Sequence, residues 1–130
     1  MYSDLLISQA DRRPMYVQIV EQIRRRIAVG DWPPGHELPS IRALAATTQV
    51  SVITVKRAYS DLERDGVIAT RPGKGSFVAD QANLGTRLRY DELDGHLSAA
   101  AGLAVDLGLS DADLEARLRD VLASNDRSKS

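Results

Sequence analysis

Apolar residues in the first quarter of the chain return at helical spacing. In "PMYVQIVEQIRRRIAVG", Tyr16, Val20, Ile23 and Ile27 stand four, three and four apart, which places them on one face of a helix. Pro14 suits a first turn and Gly30 closes the pattern, while Arg24, Arg25 and Arg26 fan away from the stripe. "GDWPPGHE" is a turn-rich connector in which Trp32 is expected to fill space between elements. In "LPSIRALAATT", Ser40 can cap a short helix that buries Ile41, Leu44 and Ala45. After the brief link "TTQV", Ser51 can cap a third helix running to about Asp65 and stopped by Gly66, with Val55, Ala58, Tyr59 and Leu62 inward.

Two short helices joined by a few residues, the second with its own cap, predict a helix-turn-helix. "VIAT" and "SFVA" are β-like runs around "RPGKG" and predict a hairpin. Three helices and a hairpin make a winged helix. After Asp80 the pattern changes: Leu93, Leu97, Ala100, Ala104 and Leu107 repeat at four, three, four and three, a seam-like stripe. "GLSDADLEARLRDVLA" restarts at Ser110, with Asp113 as a weak capping-box partner, and would bury Leu114, Leu118, Val121 and Leu122. Two amphipathic helices bury both faces poorly by themselves, so they are expected to pack on a second copy. The expected fold is mainly α with a small β-hairpin. Residues 12–79 form a winged helix-turn-helix, 83–124 a helical dimerisation region through Leu93, Leu97, Ala100, Ala104, Leu107, Leu114, Leu118 and Val121, and 125–130 a frayed tail.

Charge adds direction to this picture. The net charge of the 130 residues is −1, but it is segregated. From Arg12 to Val78 there are eleven Lys/Arg against six Asp/Glu, and from Ala79 to Ser130 six against ten. A basic first half suggests a polyanionic partner. A hydrophobic content of 43% suffices for a core, and cysteine is absent, which excludes disulfides, thiolate metal sites and thiol nucleophiles. No apolar run has the length of a membrane span, and the opening residues lack a signal-peptide pattern, so a cytoplasmic protein is expected.

Setting the third helix's apolar stripe inward turns Ile53, Lys56, Arg57, Ser60 and Arg64 outward. Lys56 and Arg57 can reach phosphates or guanine edges, and Ser51 and Thr54 lie where free N–H groups favour a phosphate. Ile53 is apolar on a face that should be wet, and contact with a thymine methyl would explain it. Ser40 and Arg42 open the second helix, where an arginine gains nothing from the helix dipole and asks for an anion, a guanine, or an acid such as Glu37 or Asp31. In the hairpin, Gly73 and Gly75 supply turn geometry while Arg71 and Lys74 supply charge.

These segments resemble the GntR family of bacterial transcription regulators. The likeness covers roughly Pro14 to Val78, where "PMYVQIVEQIRRRIAVG", "PPGHELPSIRALA", "VSVITVKRAYSDLERDGVI" and "RPGKGSFV" stand in the family's order and spacing. "ITVKRAYSDLE" and the two-helix tail are most similar to the YtrA-like subfamily, and the larger effector domains of other subfamilies have no room here. The resemblance implies a homodimer on an inverted-repeat operator, with Arg42, the early recognition-helix residues, Lys56 and Gly73 at the DNA. It also suggests control of a neighbouring transporter operon. Val52 stands where many members carry arginine, so that base contact does not carry over, and Gln49 replaces a common glycine in the turn.

The expected function is a sequence-specific transcriptional regulator, a repressor by preference. The alternatives are a non-specific architectural DNA binder and a protein-interaction winged helix. The modest basicity of the first half argues against sequence-blind binding, which relies on many phosphate contacts. No enzyme, cofactor or metal is expected. His36 and His96 are isolated, Asp91, Glu92 and Asp94 read as a solvated helix start, and "GKGS" lacks the full phosphate-loop pattern. The small residues Gly95, Ala99, Ala100, Ala101 and Gly102 favour close helix packing, and the existence of a small-molecule effector stays open.

Overall fold

The computed structural model describes residues 5, 7 and 13–129, so Arg12, where the winged-helix domain was expected to begin, and Ser130 lie outside the described residues. The elements in order are α1 (Met15–Ala28), α2 (Ile41–Thr48), α3 (Val52–Arg64), β1 (Ile68–Arg71), β2 (Gly75–Val78), α4 (Leu84–Asp106) and α5 (Asp111–Lys129). The chain divides into two compact units between Tyr90 and Asp91.

In the first unit the local signals determine the helix ends. Ser40 Oγ accepts from Ala43 N–H and Ser51 Oγ from Thr54 N–H, each at 3.1 Å, so both serines are working caps. α3 stops in a Schellman arrangement. Val67 N–H donates to Leu62 O at 2.9 Å and Gly66 N–H to Glu63 O at 3.0 Å, with Gly66 at φ +74°. α2 ends in the same left-handed manner, but on Gln49 at φ +57°, the one described non-glycine residue with positive φ. A glycine at that position would adopt this conformation freely.

The core of this unit lies between α1, α2 and α3, and the hairpin closes one end. Ile19, Ile23, Leu44, Val55, Ala58 and Leu62 are fully buried. The buried line of α1 is therefore Ile19, Ile23 and Ile27, whereas Tyr16 and Val20, expected on that line, are only partly covered at its margin. Two apolar rows four residues apart run side by side on this helix, and packing against α3 selects the one that contains Ile19. Trp32 is buried and stacks on His36 at 5.3 Å, which fills the space under the connector. Tyr59 is also buried, donating to Pro39 O at 2.7 Å, and burial pushes its hydroxyl pKa upward.

β1 and β2 pair antiparallel, with Ile68 opposite Val78 and Arg71 opposite Gly75. A third segment joins them. Glu37 bridges Phe77, Leu38 N–H donates to Ser76 O at 2.8 Å, and Val78 N–H donates to His36 O at 2.8 Å. The connector that sequence alone presents as turn-rich thus ends as a short sheet edge, which ties the wing to the start of α2.

The opening turns of α4 belong to this first unit. Leu84 and Leu88 are buried in its core, and Gly85 lies so close to the end of α1 that a Cβ there would stand 3.3 Å from Ile27 O. Arg87 also donates to Asp65 O at 3.4 Å. The second unit comprises the rest of α4 and α5. Gly108, at φ +71°, turns the chain, and Ser110 and Asp113 form a reciprocal capping box with both bonds at 3.1 Å. α5 remains helical through Lys129, beyond the point where the tail was expected to fray.

Candidate nucleic-acid interface

The outward face of α3 carries Ile53, Lys56, Arg57, Ser60 and Arg64, all exposed. They differ in what their side chains are free to do. Arg57 is held by the first helix: its guanidinium lies 3.8 Å above the Tyr16 ring centroid and donates to the Tyr16 hydroxyl at 3.0 Å. Arg64 pairs with Asp61 at 3.2 Å and lies 3.9 Å from Asp65, which itself binds Arg24 at 2.8 Å. Lys56 has no ion pair among the described residues and remains an open cation.

At the start of α3, Ser51 and Thr54 have their hydroxyls 2.8 Å apart, besides the cap bond between them. Their neighbours Val52 and Ile53 are 45% and 80% exposed. The free N–H groups of this first turn still point outward, as at any helix start.

The second part of the surface lies between α2 and the wing. The hairpin turn runs through Pro72 and Gly73, with Gly73 at φ +76° and Lys74 N–H donating to Arg71 O at 2.9 Å. Proline followed by glycine suits a turn whose third residue needs positive φ. Gly75 follows at φ +116°. The Arg71 guanidinium rests 4.7 Å above the Phe77 ring centroid, which orients it along the hairpin.

Between this turn and the first turn of α2 is an open groove of about 380 Å³, lined by Ser40, Arg42, Arg71, Gly73, Lys74 and their neighbours. Three cations line it and no carboxylate does. Of the two acids considered as partners for Arg42, Asp31 lies 3.6 Å from Arg26, and Glu37 makes no ion pair with Arg42. Arg42 is exposed and unpaired among the described residues, at a helix start that adds its own positive field. The lining of the groove therefore carries positive charge alone.

Of the residues singled out in the sequence, Ser40, Arg42, Arg71, Gly73 and Lys74 meet at this groove, while Ser51 caps α3 and Ile53, Thr54, Lys56 and Arg57 lie on it. Tyr16 is the residue that sequence reasoning missed. It read as one more apolar position on α1, and only the contact across 41 residues shows that it holds Arg57.

The second unit has a different surface. Leu93, Leu97, Leu107, Leu118 and Val121 are exposed, Ala100 and Leu114 half-buried, while Ala104 is covered by its own chain. Leu97, Ala100, Leu114, Leu118 and Val121 line a groove of about 330 Å³, with Glu115 and Arg117 completing its lining. Among the described residues no group of His, Cys, Asp or Glu is placed to hold a metal ion, and no helix is long and apolar enough to cross a membrane.

Comparison with known proteins places this geometry in context. The family model described as bacterial regulatory proteins, gntR family, matches residues 15–78. The HTH-type transcriptional regulator Rv1152 of Mycobacterium tuberculosis is 34% identical over 105 residues, covering 78% of this chain and 79% of that protein. The HTH-type transcriptional repressor YtrA of Bacillus subtilis is 39% identical over 69 residues, 53% of either chain. The match covers only part of the length of several curated relatives: 64% of one, 14% of another and 53% of YtrA. A solved GntR family transcriptional regulator from Listeria monocytogenes superposes with a TM-score of 0.72 at 28% identity, covering 85% of this chain and 96% of that one. The DNA-binding domain of AraR in complex with operator ORE1 superposes at 0.51 with 30% identity, covering 56% of this chain and 89% of that one.

Proposed function

Because the chain belongs to the GntR family of bacterial helix-turn-helix transcriptional regulators, we propose that it binds an inverted-repeat operator as a homodimer and represses transcription by occupying it. The observation that carries this reading is the groove of Arg42, Arg71 and Lys74, with no carboxylate in its lining, together with the exposed cationic face of α3. α3 enters the major groove with Lys56 outward, and the wing and the start of α2 grip the backbone on its flank. Phosphate contacts set register, and the few side chains on α3 supply sequence preference. AraR bound to its operator supports this use of the shared head, and the repressor YtrA supports the direction of control.

The dimer reading rests on the second unit. α4 and α5 leave Leu97, Leu118 and Val121 about half exposed along a shared groove. A contiguous apolar surface of this kind marks an interface, and an inverted-repeat operator calls for two heads related by a two-fold axis. Such a protein works where the chromosome is, in the cytoplasm. A signal could act by changing the spacing or tilt of the two heads, since only a difference in DNA affinity between arrangements can shift occupancy.

Selection of bound fragments from genomic DNA by the purified chain tests the proposal. It predicts recovery of an inverted repeat that binds several orders of magnitude more tightly than random duplex at the same salt. Equal binding to all duplexes would reject it. In sedimentation, Leu118→Asp should shift the chain from dimer to monomer, and an unchanged dimer would reject the role of the second unit.

A further inference from the structure

Resting on the regulator reading above, we infer that the first turn of α3 reads its operator by aliphatic contact with thymine methyl groups, with Ile53 and Val52 as the specificity-determining residues. Side chains in the first turn of a recognition helix are the ones that reach base edges. Here the polar ones are already engaged within the protein. Ser51 Oγ caps Thr54 N–H, and the two hydroxyls hydrogen-bond to each other at 2.8 Å. The next arginine, Arg57, is drawn toward α1 by stacking on Tyr16 and donating to its hydroxyl. What the first turn offers outward is a pair of adjacent aliphatic side chains.

Their placement is specific. Val55, Ala58, Tyr59 and Leu62 face the core, and a rotation of about 100° per residue sets Ile53 nearly opposite the centre of that buried arc. Ile53 is 80% exposed, the highest value among the exposed large hydrophobic residues, and Val52 beside it is 45% exposed. Neither is covered by the chain's own core. An aliphatic group at this place can distinguish bases in only one way. The major-groove edges of guanine, cytosine and adenine present donors and acceptors, and thymine alone presents a methyl group. A carbonyl or amino group pressed against Ile53 would lose its water and gain no partner, so the same side chain disfavours the other bases. Lys56, on the following turn, is an open cation among the described residues, which suits a duplex rather than an apolar protein surface.

The test uses the full chain and the tightest duplex recovered from a random-sequence selection. Each thymine is replaced in turn by uracil, which removes only the methyl group. At one or two positions per half-site the Kd should rise about fourfold for each methyl no longer buried. In Ile53→Ala that thymine-to-uracil ratio should fall to one, with Val52→Ala reducing it in part. Melting temperature should stay unchanged in both, because the side chains are exposed. If the protein discriminates among duplexes yet every uracil replacement is neutral, the inference is overturned while the regulator reading stands. A uracil effect of the same size in Ile53→Ala and Val52→Ala overturns the residue assignment. Failure to discriminate among any duplexes overturns both the inference and the function it rests on.

Discussion

Arg42 occupies the first turn of α2, exposed and unpaired among the described residues, on the rim of a groove it shares with Arg71 and Lys74. Replacing it with alanine removes no contact that holds the fold, so stability should change by no more than about 0.5 kcal/mol. DNA binding should suffer far more. A hydrogen bond to a charged partner contributes about 1.5–3 kcal/mol, or roughly 10- to 150-fold in Kd. The same substitution also separates the two partners Arg42 could serve. Loss of a phosphate contact should weaken all sequences alike and flatten the plot of log Kd against log salt by about 0.9 per contact. Loss of a guanine contact should relax preference at one operator position and leave the slope nearly intact. Fluorescence anisotropy of labelled operator at four or five salt concentrations, with thermal melting of the free protein as control, reads both quantities. An Arg42→Ala protein that folds and binds the operator undiminished refutes the assignment of the groove as a DNA contact.

Three further outcomes are expected. Tyr16→Phe should keep the ring under Arg57 but remove the hydroxyl acceptor, weakening operator binding two- to threefold with an unchanged salt slope, since the charge stays. A reduced slope would contradict a purely positioning role. Gln49→Gly should raise stability by up to about 1 kcal/mol by relieving the left-handed conformation, seen as a melting temperature higher by about 4–8 °C for a unit of this size, and a fall in melting temperature would count against it. Asp113 has its pKa lowered by the backbone N–H and hydroxyl of Ser110. A carboxyl whose folded pKa lies below its unfolded value supports the fold above the unfolded value and loses that support as pH falls through the folded one. Helix content in the second unit should therefore decline on acidification through the carboxylate range, and Asp113→Asn should abolish that part of the decline in circular dichroism.

How much of this surface was legible beforehand varied with distance along the chain. Ser40 and Ser51 were readable as caps because a cap bond spans three residues, and both bonds are present. Gly66 and the Pro72–Gly73 turn were readable for the same reason, since each needs only its neighbours to define its backbone. The outward residues of α3 followed from one periodicity. Arg57 showed the limit of that method. Periodicity gave its direction correctly, but not that Tyr16, 41 residues earlier, would hold its guanidinium.

The amino-acid sequence by itself determined where α2 and α3 start and stop, which residues face inward on them, and which carry charge outward. Those outcomes depend on contacts within about one turn. Tertiary structure decided the rest. It chose Ile19 over Tyr16 for the core line of α1, paired the Glu37–Leu38 segment with β2, and drew Leu84 and Leu88 into the first unit's core. Each choice was between local arrangements of similar merit, and local pattern cannot separate them. Burial against a distant partner did, because the apolar area removed from water and the backbone groups satisfied at a sheet edge exist only once the remote segments meet.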